Sequence, residues 1–89
     1  MNELTNGNCV IYFEQYEDYK FVHFNLLGRF SFKDFRWMMS VLPEIGPVHA
    51  AIDTGDDKLI KLVTDLGFEE TTQAVLGVDG FYRRIYLWE

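Results

Sequence analysis

A mixed α/β (α+β) sandwich of order ββαβαββ is the fold this sequence predicts, and three observations carry the prediction. Runs of β-branched and aromatic residues alternate with two stretches whose apolar residues recur every three to four positions. Glycine, proline and capping residues separate these segments, with no long polar linker between them. The chain has 89 residues, 48% of them hydrophobic and 17% aromatic, which supplies one core for a single domain, 1–89, without a disulfide or metal.

Taken in order, residues 1–7 read as a short frayed or lightly docked end. Cys9 to Glu14 is a first strand and Glu17-Asp18 a turn. Tyr19 to Leu27 is a second strand, apolar on both alternating faces, which predicts a central strand covered on both sides. Gly28-Arg29-Phe30 breaks it. Ser31-Phe32-Lys33-Asp34 has the form of a capping box, in which Asp34 also favours the positive end of the helix. Phe32, Phe35, Met38 or Met39 and Leu42 then form one apolar helical face. Pro43 and Gly46-Pro47 are expected to end that helix.

Val48 to Ile52 predicts a short buried strand. Thr54 to Asp57 offers a second capping box, with Asp53 as the alternative cap. Leu59, Leu62, Val63 and Leu66 fall on one face of the helix that follows, opposite Lys58, Lys61, Thr64 and Asp65. Gly67 suits the left-handed position that closes a helix, with Phe68 folding back on the core. The remainder predicts a hairpin: Thr71 to Leu76, an Asp79-Gly80 turn of type I′, and Phe81 to Trp88.

The formal charge of −6, from 14 acidic and 8 basic residues, sets nucleic acid and anionic membrane against net repulsion. It fits a basic protein partner, or solubility alone. The sequence has no apolar run long enough for a transmembrane helix and no secretory signal pattern at its start. A single cysteine, Cys9, forms no intramolecular disulfide. Together these predict a cytoplasmic protein.

From Val48 to Glu89 the sequence resembles the C-terminal half of a Gcn5-related N-acetyltransferase (GNAT) domain. The residues that carry the likeness are the helix Asp56 to Leu66, the Gly67-Phe68 pair after it, and a closing hairpin rich in tyrosine, arginine and tryptophan. Residues 9–47 would be the two strands and first helix before that half, in the shortened form of some phage-encoded members. The resemblance implies acetyl-CoA as cofactor, held by backbone amides of the loop before the first helix, here Gly28, Arg29, Phe30 and Ser31. The family's loop is richer in glycine than Leu27-Gly28-Arg29-Phe30-Ser31-Phe32. Val63 stands where the family often has a tyrosine acid, and Asp56 near its asparagine.

These departures favour a non-catalytic GNAT-like protein that binds another macromolecule and needs no cofactor. An acetyl-CoA-dependent N-acetyltransferase with an atypical loop and a homodimeric structural module are the alternatives. For partner binding, Tyr82, Arg84, Tyr86 and Trp88 have the composition of a recognition strip, although one side of the strand must be core. His23 and His49 lie on strands that can be neighbours, but two histidines do not complete a metal site, and none is expected. Cys9 reads as a buried hydrophobe, since nothing beside it lowers a thiol pKa. Asp53, Asp56 and Asp57, and separately Glu14, Glu17 and Asp18, read as capping or solvated acids.

Overall fold

The computed structural model describes residues 2–89. Eight elements form: β1 (Asn2–Thr5), β2 (Cys9–Tyr16), β3 (Tyr19–Leu26), α1 (Phe32–Ile45), β4 (Val48–Asp53), α2 (Asp57–Leu66), β5 (Glu69–Leu76) and β6 (Tyr82–Trp88). The predicted ββαβαββ core is present, preceded by one unexpected strand. Asn2 to Thr5 is not a loose end: it pairs antiparallel with Val10 to Phe13. Its sequence, Asn-Glu-Leu-Thr, carries too little β-branched or aromatic content to announce a strand; pairing to β2 overrides propensity.

All six strands share one sheet, in the order β1-β2-β3-β4-β6-β5. Only β3 and β4 run parallel, joined through α1; all other neighbours are antiparallel. A parallel connection needs such a crossover, because a tight turn only reverses the chain.

Both helices lie on the same face of the sheet. Cys9 and Ile11 of β2, Val22 of β3, and Val48, Ala50 and Ile52 of β4 form one buried cluster with Met38, Val41 and Leu42 of α1 and Val63 and Leu66 of α2. The alternate residues face away from this cluster. The expectation that β3 is covered on both sides is therefore corrected, since Tyr19, His23 and Asn25 on its other face are exposed. Aromatic and β-branched residues occupy both faces of β3, so residue type alone did not reveal which face the helices cover.

At α1 the Ser31–Asp34 capping box forms as predicted. Pro43 does not stop the helix but lies in its last turn. The ring removes only the bond that residue 43 would donate to the exposed Met39, while the Gly46 N–H still donates to the Leu42 carbonyl at 3.0 Å. At α2 the cap is Asp56, not Thr54 or Asp53: its carboxylate accepts from the Leu59 N–H at 3.2 Å. Asp53, Thr54 and Gly55 instead make a turn closed by the Asp56 N–H to the Asp53 carbonyl.

The last hairpin also differs from expectation. Gly80 has φ +86° but Asp79 is not left-handed, which excludes a type I′ turn. Bonds from Gly80 N–H to the Gly77 carbonyl and from Gly77 N–H to the Phe81 carbonyl instead enclose a three-residue loop. Asp79 is held out of the left-handed region by its own partners. Its carboxylate accepts from the Phe81 N–H and from Arg83.

Gly67 closes α2 at φ +106°, and a Cβ there would lie 3.3 Å from the Trp88 indole nitrogen. The left-handed backbone and the indole contact both oppose a side chain. Gly67→Val is expected to destabilise the fold by at least about 1–2 kcal/mol in urea unfolding. An unchanged midpoint with an unchanged slope would remove this cap from the account.

Candidate functional site

Where α1 begins, the free N–H groups and positive end of the helix make an anion site in principle. The chain fills that site itself. Asp34 is only 5% exposed, and its carboxylate accepts from the Ser31 N–H at 2.9 Å and the Ser31 hydroxyl at 3.1 Å. It also accepts from the Asn6 amide at 2.9 Å and the Asn8 amide at 2.8 Å. These donors hold the Asp34 pKa at about 2, the Asn6 bond contributing most.

The loop Gly28 to Ser31, predicted to cradle a pyrophosphate, is drawn into the same knot. The Asn8 amide donates to the Arg29 carbonyl at 2.9 Å, and Leu27 N–H donates to the Asn8 carbonyl at 2.8 Å. A side chain at Gly28 would meet the Asn8 oxygen 2.9 Å from its Cβ. The close approach that glycine permits is thus used by Asn8. Neither Asn6 nor Asn8 was singled out in the sequence, although Asn6-Gly7-Asn8 is a turn signal opposite an acidic N3 residue.

Beyond this knot the sheet opens. Although β3 and β4 are neighbours, only Phe21 and His49 are in register, whereas β4 and β6 pair over the whole of β4. Past Phe21 the two strands diverge. A cavity of about 650 Å³ lies at the C-terminal end of β3, lined by Phe24, Leu26, Phe30, Phe35, Leu59 and Leu62. In sheets with crossover helices, ligands sit at such strand ends. Phe30 lines the cavity; Phe32 is exposed and stacks on Phe35. Charges at the rim are balanced, with Lys58 and Lys61 facing Asp56 and Asp65. Lys61 pairs with Asp65 at 3.1 Å, and Asp56 is committed to the cap of α2.

The predicted strip on β6 is dispersed. Tyr82, Arg84, Tyr86 and Trp88 share the helix-covered face, because Tyr86 and Trp88 stand beside Ala50 and Val48. Tyr86 is a core residue, 5% exposed, and burial followed by the nearby Glu70 raises its hydroxyl pKa. Trp88 is half-buried, with its indole N–H donating to the Leu66 carbonyl at 3.2 Å. Tyr82 is exposed, and Arg84 lies loosely beside Glu70. Strand parity thus sets all four residues on the helix-covered face, where Tyr86 is buried, Trp88 is half-buried, and Tyr82 and Arg84 stay exposed.

The helix-free face carries the other candidates. One lateral row reads Glu14, Phe21, His49, Leu87, Glu69 across five strands. Its half-buried middle, Phe21, His49 and Leu87, is flanked by carboxylates. Tyr19 and Phe21 pack against the His49 ring at 5.0 and 5.7 Å, and His49 Nδ1 has no hydrogen-bond partner among the described residues. His23 and His49 share this face, but His23 is engaged by Glu14 at 2.8 Å. No cluster of three or more metal-ligating side chains occurs among the described residues.

Two further acids have structural employment. Asp53 and Asp79 both bind Arg83, at 3.1 and 2.7 Å. Cys9 is fully buried, and burial, then the charge of Asp34, pushes its thiol up to about 11. That environment disfavours a thiolate nucleophile. No helix of the described residues is long and apolar enough to cross a membrane. Comparison with protein-family models, with curated proteins and with solved structures finds no match to this chain.

The Asp34 knot gives a pH test. An aspartate normally titrates near 3.9, so a folded value of about 2 adds stability that is complete above roughly pH 5 and is lost as pH falls toward 2. Asp34→Asn is expected to lower the urea midpoint at neutral pH, with the gap to wild type narrowing over that acidic window. A gap independent of pH would show that the charge does not hold the knot.

Proposed function

We propose that this chain is a non-catalytic, GNAT-like binding module whose helix-free sheet face engages a basic protein partner. The observation that carries the reading is the row Glu14–Phe21–His49–Leu87–Glu69, in which Phe21 and Leu87 flank a half-buried His49 and a carboxylate stands at each end. Glu3 and Asp53 extend the acidic rim on the same face. Arg83 on this face is already held by the carboxylates of Asp53 and Asp79, and the His23 ring is engaged by Glu14. An amphipathic partner with aliphatic and lysine or arginine side chains would meet apolar surface at the centre and opposite charge around it.

The filled helix end supports the non-catalytic part of the reading. Pyrophosphate at the start of α1 would have to displace Asp34 from its donors or sit beside its charge. The divergence of β3 from β4 accords with the splayed central strands that the GNAT-like resemblance implies. That same divergence favours a second reading, an acetyl-CoA-dependent N-acetyltransferase with the acyl arm in the apolar cavity.

Titration with acetyl-CoA separates the two. A cofactor that binds the folded state raises the melting temperature by mass action. Millimolar acetyl-CoA is expected to leave it unchanged, and a saturable rise would select the enzyme reading. In parallel, an amphipathic leucine–lysine helical peptide is expected to shift backbone resonances of Tyr12, Tyr19, Phe21 and His49. The effect should weaken with salt and in Glu14→Lys. Shifts confined to the helical face, or none, would reject the open-face surface.

A further inference from the structure

The two edges of the sheet are unequally protected. On one side β1 is four residues long and carries Glu3. The other edge, β5, is twice that length, and from Thr71 to Val78 no charged residue or proline occurs. Natural edge strands are usually kept from pairing by charge, proline, bulges or shortness. Here a register irregularity between Glu70 and Ala74 disrupts the first half of β5. The second half, Ala74 to Leu76, is regular. Around it stands a dense group of exposed apolar side chains: Val75 is 48% exposed, Leu76 60%, Val78 113%, Phe81 65% and Tyr82 61%.

Backbone geometry shows which groups are free. Gly77 donates inward to the Phe81 carbonyl. In an antiparallel pair, inward and outward residues alternate, so Val75 also faces β6 while Ala74 and Leu76 turn their N–H and C=O groups outward. We infer that β5 pairs antiparallel with β5 of a second copy of this chain, about a two-fold axis through Val75. Only that centring sets the outward residue Ala74 opposite the outward Leu76 of the partner, and the reverse, so that both residues are bonded in each copy. The two Val75 side chains then meet as a non-hydrogen-bonded pair with Cα atoms about 4.5 Å apart, and the sheets join into one of twelve strands.

The occupant is a second copy because the segment has no charge with which to select an oppositely charged strand. Each chain carries −6 overall, so two copies approach with least repulsion along an uncharged edge. Such an interface is isologous and closes on itself, which makes a dimer rather than a fibre. It uses the backbone edge of β5 and leaves the acidic open face exposed, so it stands or falls independently of the open-face reading.

Sedimentation velocity over a concentration series, with site-specific cross-linking, tests this pairing. The wild-type chain is expected to shift from monomer to dimer with concentration, and Val75→Lys to remain a folded monomer. Under mild oxidation Val75→Cys should cross-link between chains. Val78→Cys should not, although it is more exposed, because paired Val78 residues would lie roughly 20 Å apart. Amide exchange at Ala74 and Leu76 should slow as dimer forms. A wild type that stays monomeric at several hundred micromolar, a dimer that Val75→Lys leaves intact, or equal cross-linking at the two positions would each overturn the proposal.

Discussion

The carboxylate of Asp34 is the point on which the arrangement of the first half of the chain depends. One nearly buried charge accepts bonds from the β1–β2 turn, from Asn8 at the start of β2 and from the residue that caps α1. A buried ion is costly unless its lone pairs are met, and here four donors meet them. The result fixes three segments at once: edge strand β1, the loop after β3, and the entry angle of α1. The stabilising contact is local in sequence only for Ser31. Through Asn6 and Asn8 it spans almost thirty residues.

This arrangement explains how the chain closes the anion site at the start of α1. A helix N-terminus draws negative charge, whether from a ligand or from its own sequence. Asp34 provides that charge within the capping box, and Asn8 occupies the space that Gly28 leaves open. The apolar cavity nearby is walled by the end of β3, by Phe30 and Phe35 and by α2, and Asp34 and Asn8 take no part in its lining. Closure of the helix N-terminus and openness of the apolar cavity are thus separate features.

Much of the fold could be read from the sequence where local chemistry and tertiary packing agree. The Ser31–Asp34 box, the Gly67 cap and the apolar stripe of α2 all speak through short-range spacing. What was illegible depends on partners distant in sequence. Asn2 to Thr5 becomes a strand only because β2 is there to pair with it. Alternation along β6 was visible, but which alternate set faces the helices was decided by its register with β4, so Tyr86 and Trp88 could not be assigned inward in advance. The candidate site suffered most. Asn6 and Asn8 have no apolar pattern to mark them, and the cavity is walled by the end of β3, α1 and α2, segments distant in sequence.

Trp88 has a consequence for how the molecule comes apart. Its indole N–H meets the Leu66 carbonyl in the last turn of α2, across 22 residues, and its ring lies against Gly67. A helix end is where fraying ordinarily starts, whereas β6 is held between β4 and β5. Here neither frays alone, because loosening β6 strips α2 of an acceptor's partner and loosening α2 leaves the indole without its own. The end of α2 and the end of β6 are therefore coupled through this one bond, with the Trp88 indole at the junction.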